Sequence, residues 1–131
     1  MTISRSNPDE LHATPGYHHV TRVQANTTIY LAGQCPLQAS GELAPGGLQG
    51  QTAQVIANIL TALKSAGATP EDVVRTVIYV ASPDREDLSA VWTQLNASPL
   101  ASAFTTASTL LGVAQLGFPG QLVEIDVTAA L

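Results

Sequence analysis

Glu124 and Asp126 stand two apart in the run Leu122-Val123-Glu124-Ile125-Asp126-Val127, close to the C-terminus. On a strand, such a pair faces one side, about 6–7 Å apart. That spacing offers paired carboxylates for proton transfer. The plainer alternative is two solvated charges on a terminal strand. Ser108 follows Phe104-Thr105-Thr106-Ala107. No histidine or aspartate is placed by the sequence to activate it, so a serine-hydrolase role is not expected. It is otherwise a strand serine packed among Thr106, Thr109 and Leu110. Cys35 is the sole cysteine, which excludes an intrachain disulfide. A cysteine of this kind is expected to be a small buried apolar residue rather than a nucleophile.

The histidines are His12, His18 and His19. Neighbours on a strand point to opposite faces, so His18 and His19 cannot readily share one metal. Together with His12 and Cys35 they form no recognised zinc spacing, and no metal is expected. Gly46-Gly47 is followed by no Walker lysine, so nucleotide binding is not indicated.

Charge narrows the partners. The chain has 131 residues and a net charge of −5, with its 5 basic residues scattered as Arg5, Arg22, Lys64, Arg75 and Arg85. Nucleic-acid binding needs clustered cations to neutralise phosphates, and none cluster here. Hydrophobic residues make up 45% and charged residues 11%. So few charges on a single small domain hint at surface buried between copies. No apolar run approaches the ~20 residues of a membrane span. The segment Met1 to His12 is polar and lacks the apolar stretch of a signal peptide. A cytoplasmic location is the expectation.

These residues need elements to hold them. Residues 1–14 are polar, contain Pro8 and are expected to form a loose lead-in to a single domain over 15–131. Val20 to Gln24 alternates at period two and reads as a strand. Asn26-Thr27 would turn it into a second strand, Thr28 to Ala32, ended by Gly33 and Pro36. Gln38 to Leu48 holds Gly41, Pro45, Gly46 and Gly47 and reads as a loop. Gln51 to Ala66 places Val55, Ile56, Ile59, Leu60 and Leu63 on one helical stripe, stopped by Gly67.

Asp72 to Ala81 is a β-branched run typical of a buried strand. Ser82 or Asp84 can cap a second helix through Asn96, with Leu88, Val91, Trp92 and Leu95 on one face. Ala103 to Val113 reads as a strand, with Phe104 on the same face as Ser108. Phe118-Pro119-Gly120-Gln121 suits a type II turn into a last strand, Leu122 to Thr128. The order is ββαβαββ: an α+β fold with one mixed sheet of about six strands and both helices on one face. The other face needs a cover, and self-association is the simplest one.

Four segments together resemble the RidA (YjgF/UK114) family of reactive-intermediate deaminases: Pro15-Gly16-Tyr17, Tyr30-Leu31-Ala32-Gly33-Gln34-Cys35-Pro36, the stretch Gln51 to Gly67, and Leu122 to Val127. The resemblance spans roughly residues 15 to 130. It implies a chorismate-mutase-like fold, a homotrimer and a cleft between subunits. It also implies hydrolysis of a small enamine or imine without a cofactor, water adding to the imine carbon as ammonia leaves. Tyr17, Ala32, Gly33, Gln34, Trp92 and Ser108 fall on its substrate-binding positions, and Glu124 on the position that orients water.

Three of these positions depart from the family. Ser108 stands where the deaminases carry an arginine that anchors the substrate carboxylate, Ala32 where a serine is usual, and Trp92 where an asparagine is common. Arginine suits that anchor because its planar fork makes two parallel charge-assisted hydrogen bonds, which a serine cannot. None of the five basic residues falls on a matched site position. The expectation is an enamine- or imine-handling protein that is not a standard 2-imino acid deaminase. The alternative is a non-deaminating protein that binds a neutral small molecule, in a biosynthetic pathway for instance. Some members of the family carry nuclease labels, which this composition does not favour.

Overall fold

The computed structural model describes all residues from Met1 to Leu131. Six strands and two helices occur in the order β1 (Thr2–Ser6), β2 (Val20–Gln24), β3 (Thr28–Tyr30), α1 (Gly47–Ser65), β4 (Val73–Val80), α2 (Arg85–Asn96), β5 (Ala107–Gly112) and β6 (Val123–Ala130). The α+β class, the six strands and the two helices are as expected. The N-terminus is not: β1 lies inside the segment read as a loose lead-in, so the order is βββαβαββ. Its alternation of half-buried Ile3 and Arg5 with exposed neighbours is too short to stand out from a polar tail.

The strands form two sheets, not the one mixed sheet of about six strands expected, because β1 and β2 pair only with each other. β1 pairs antiparallel with β2, and the larger sheet has the order β3-β6-β4-β5. Within it β4 and β5 run parallel, and β6 runs antiparallel to both β3 and β4. The small sheet is held to the large one by polar contacts at its lower end. Arg5 donates to the carbonyls of Glu71 (3.2 Å) and Val73 (2.8 Å). Thr21 Oγ1 accepts from the Ala107 amide at 2.9 Å and bonds the Thr106 hydroxyl at 2.7 Å.

Both helices lie on one face of the large sheet. Val55, Ile59 and Leu63 of α1 and Val91 and Leu95 of α2 pack on Ile78 and Val80 of β4 and on Val123, Ile125 and Val127 of β6. The opposite face carries no layer. Arg75 and Tyr79 of β4 point there, with Glu124, Asp126 and Thr128 of β6. Tyr30 of β3 stands on it 79% exposed.

α1 begins four residues before the reading from apolar periodicity, because its first turn rests on glycine rather than on the stripe. Gly46 takes a left-handed conformation (φ 97°) just before it. At the far end Gly67 (φ 77°) closes a Schellman motif, its amide donating to Lys64 O at 3.1 Å and that of Ala68 to Leu63 O at 2.9 Å. The turn into β6 is also as read: Gln121 N donates to Phe118 O at 3.0 Å, and Gly120 has φ 78°.

The segment read as a strand from Ala103 divides instead. Ala101–Phe104 is a 3-10 turn, and the strand begins only at Ala107. Phe104 therefore does not share a strand face with Ser108; it is fully buried in the core. Alanine and serine open both pieces, so composition alone does not separate them.

Candidate functional site

β5 is an edge strand of the large sheet, parallel to β4, with Ser108 opposite Thr76. Thr76 is fully buried on the helix face. Ser108 therefore faces the helices too, at the margin left between β5, α2 and the N-terminal loop. A cavity of about 440 Å³ opens there. Tyr17 and Trp92 supply two aromatic walls, and Ser89, Thr93, Ser108 and Thr109 supply hydroxyls. Pro15 and Leu110 complete the lining, which contains no charged side chain. A wider groove of about 800 Å³ runs beside α2 from Leu48 to Ala97 and shares Ser89 and Thr93 with the cavity, but none of the site residues expected from the sequence lies in it.

The Ser108 hydroxyl is already committed. It donates to Thr106 O at 3.0 Å and accepts from Thr76 Oγ1 at 2.6 Å. Its single proton is spent within the chain, so it offers the cavity a lone pair and little more. Arg75 is the nearest cation identified by contact. It donates to Thr109 Oγ1 at 2.9 Å from the uncovered face of the sheet and is exposed. Arg22 is exposed on β2.

Tyr17 is fixed by a web that the sequence reading did not anticipate. His12 Nε2 and the Tyr17 hydroxyl share a hydrogen bond of 3.0 Å. The His19 Nε2–H donates to His12 O at 2.8 Å, and the His19 amide donates to Asn7 Oδ1 at 2.7 Å. The His18 Nδ1–H donates to Thr105 O, and Thr14 Oγ1 donates to Tyr17 O. His18 and His19 precede β2 rather than lie on it, so the opposite-face argument made for them does not apply; each pins the loop to a carbonyl instead. Tyr17 meets Trp92 edge-on at 6.3 Å, and Trp92 meets Phe104 at 6.1 Å. Trp92 thus joins cavity wall to core.

The remaining predicted residues gather elsewhere. β3 gives way to an irregular path along β6, where Gln34 exchanges backbone bonds with Ile125 at 2.8 and 3.2 Å. This carries Ala32, Gly33 and Gln34 along the edge of β6. Gly33 lies so close to the two carboxylates that a Cβ there would stand 2.4 Å from Glu124 Oε2 and 2.9 Å from Asp126 Oδ1. The Gln34 side chain folds back to Ala32 O at 2.9 Å. Asp126 accepts a long hydrogen bond, 3.4 Å, from the Tyr79 hydroxyl.

Glu124 Oε1 accepts from Cys35 Sγ at 3.1 Å and from Gln121 Nε2 at 3.1 Å. Cys35 is therefore half-buried and hydrogen-bonded, where a small buried apolar residue was expected. Burial first, and then the adjacent Glu124 carboxylate, push its thiol up to about 11. It stays protonated at neutral pH and is no nucleophile.

Two amides on α1 hold this second cluster. Asn58 Nδ2 donates to Cys35 O (3.0 Å) and Leu37 O (2.9 Å). Buried Gln51 donates to Gly120 O at 2.9 Å and accepts from the Leu122 amide at 2.7 Å. Gln51, Gln54 and Asn58 recur at helical spacing beside the apolar stripe, a signal that could have marked them. Their targets, distant loop carbonyls, could not be read from spacing.

One chain therefore divides the expected site residues between two places on one sheet. The helix-side cavity has Tyr17, Trp92 and Ser108. The uncovered face has Gly33 against Glu124, with Ala32 and Gln34 flanking Gly33 along the β6 edge. No three His, Cys, Asp or Glu side chains converge as metal ligands, and no helix is long and apolar enough to cross a membrane.

Comparison with known proteins follows the same lines. The family model described as endoribonuclease L-PSP matches residues 8–131. Mouse 2-iminobutanoate/2-iminopropanoate deaminase is 39% identical over 70 residues, 53% of this chain and 50% of that protein. The goat protein of the same name is 40% identical over 70 residues, with the same coverage. The match thus spans about half the length of these curated relatives. Among solved structures, YyfB of Yersinia pestis, a Rid-family protein of unknown function, superposes over 100% of both chains with a TM-score of 0.90 and 36% identity. YyfA of the same organism, also a Rid-family protein of unknown function, gives 0.69 and 26%, covering 99% of this chain and 100% of its own.

Proposed function

The chain belongs to the endoribonuclease L-PSP family, which includes the RidA and YjgF proteins, and on that premise we propose that it acts on a small, uncharged enamine or imine. The ligand would sit in the cavity of Tyr17, Trp92 and Ser108, completed by Gly33 and Glu124 of a neighbouring copy in a homotrimer. Glu124 would orient water toward the imine carbon, and ammonia would leave. No cofactor is needed for that addition and elimination.

The observation that carries the neutral-ligand reading is the state of Ser108. Its proton is spent on Thr106 O, and the cavity lining holds no cation. A carboxylate entering this cavity would lose hydration without gaining a charged partner, which is costly. Apolar walls with a few fixed hydroxyls suit a small neutral molecule better. A ribonuclease reading has less support, because no lysine or arginine lines the cavity to meet a phosphate.

The second reading is a protein that binds such a ligand without deaminating it. One observation favours it: Glu124 Oε1 is already occupied by Cys35 and Gln121, which leaves only Oε2 for water.

The test compares 2-iminopropanoate, generated in place from alanine by an amino acid oxidase, with a neutral ketimine generated from 1-phenylethylamine by an amine oxidase. One charge-assisted hydrogen bond is worth roughly 1.5–3 kcal/mol. Loss of the arginine fork should therefore slow the acid about tenfold to over a hundredfold relative to an arginine-bearing deaminase. The ketimine should be the better substrate, and Ser108→Arg should shift preference toward the acid. Wild type that handles the acid as fast as an arginine-bearing relative would sink the neutral-ligand reading. Ketimine binding seen by calorimetry without accelerated hydrolysis would establish the second reading.

A further inference from the structure

We propose that His12 and Tyr17 form a proton relay from solvent into the cavity, with His12 as the proton partner through which the Tyr17 phenol acts. This rests on the reading above that the cavity takes an enamine or imine, and it adds the source of the proton that such a ligand needs.

The geometry has three parts. Tyr17 lines the cavity, and its hydroxyl is 3.0 Å from His12 Nε2. His12 is exposed, so its ring exchanges protons with water, while Tyr17 is half-buried against Trp92. The pair is held rather than left loose. His19 donates to the His12 carbonyl at 2.8 Å and packs edge-on against both the His12 ring at 4.6 Å and the Tyr17 ring at 5.8 Å. The titratable groups against His12 are thus Tyr17 and His19, and Tyr17 is the only titratable side chain of the cavity lining.

Histidine suits the outer position because its ring can take up a proton and give it back. Protonated, its Nε2–H donates to the phenol oxygen; neutral, Nε2 can accept the phenol proton. The hydrogen bond survives in both states, as a relay requires.

The step balances as follows. The phenol O–H breaks as a C–H bond forms at the enamine β-carbon, whose electron pair comes from the C=C bond. The Nε2–H bond of protonated His12 breaks as the phenol O–H reforms. The ligand becomes an iminium ion and His12 is left neutral, to regain a proton from solvent. Water then adds to the iminium carbon, and the products are a ketone and ammonium.

The experiment follows the neutral ketimine from 1-phenylethylamine in D₂O and reads both its hydrolysis and the deuterium entering the carbon beside the imine. His12→Gln keeps a hydrogen-bonding group near Tyr17 but cannot carry the proton. It should lower the deuterium that enters through the enamine tautomer by about a hundredfold, the usual size of general acid–base catalysis, with the KM for ketimine hydrolysis within about twofold. Added imidazole should restore His12→Ala, whose missing ring faced solvent, but not Tyr17→Phe, which lacks the inner link. Three outcomes overturn the relay alone: deuterium entry in His12→Gln equal to wild type, a change confined to KM, or imidazole failing to restore deuterium entry in a folded His12→Ala. Wild type that leaves the ketimine untouched overturns the proposed function and the relay with it.

Discussion

Ser108, Cys35 and Gly33 show how far a residue's type predicts its work. Serine at position 108 reads in the sequence as standing where an arginine is expected, and the structure adds where its proton goes. Cys35 was legible only as a lone cysteine, since its partner Glu124 lies 89 residues away in the chain. The tie between them has a measurable consequence. With the thiol pushed up from 9.0 to about 11, its thiolate population falls about a hundredfold in the folded protein. Iodoacetamide at pH 8 should therefore modify Cys35 about a hundred times more slowly than in the urea-unfolded chain. Equal rates would show that the thiol is not held. The sign for stability follows from linkage. The unfolded chain gives up the proton first, so the contribution is intact below about pH 9 and is lost as the pH rises to about 11.

Among the elements, those with a long single-period stripe were the most legible. α2 and β4 fall within one or two residues of their expected bounds, because amphipathic and β-branched runs report burial directly. β1 and the 3-10 turn at Ala101–Phe104 were missed, because both are short and both depend on partners distant in sequence. The start of α1 was misplaced because a glycine contact fixes it. A Cβ at Gly50 would stand 2.0 Å from the Pro45 carbonyl oxygen, a backbone atom that cannot step aside. Gly50→Ala should cost about 1–3 kcal/mol by overpacking. Gly67→Ala, forced into the left-handed region, should cost about 1–2 kcal/mol. Gly117→Ala, with nothing within 4 Å, should cost nothing measurable. Urea unfolding compares the three. A Gly50→Ala midpoint equal to that of Gly117→Ala would show that the Pro45–Gly50 contact does not seat α1.

For the whole molecule, the sequence pointed to one covered sheet face and one bare one, and the helices do pack on a single side. That the matched site residues divide between the two faces was not legible, since strand alternation gives sides only after the register is known. Tyr30, 79% exposed, and Leu111, 41% exposed, are left in the open on a chain with few charges. We expect three copies to close this surface in a ring, as cyclic assembly allows. Light scattering at micromolar concentration should then give three times the chain mass, and a monomer would rule the ring out. In that ring every complete site belongs to two copies, and a lone chain owns none. Activity then becomes a function of abundance. Below the concentration at which rings form, the working sites per chain rise with about the square of the total amount, by mass action. Halving the amount of protein would there remove far more than half of the activity, so a site shared between two copies would make output depend steeply on dose.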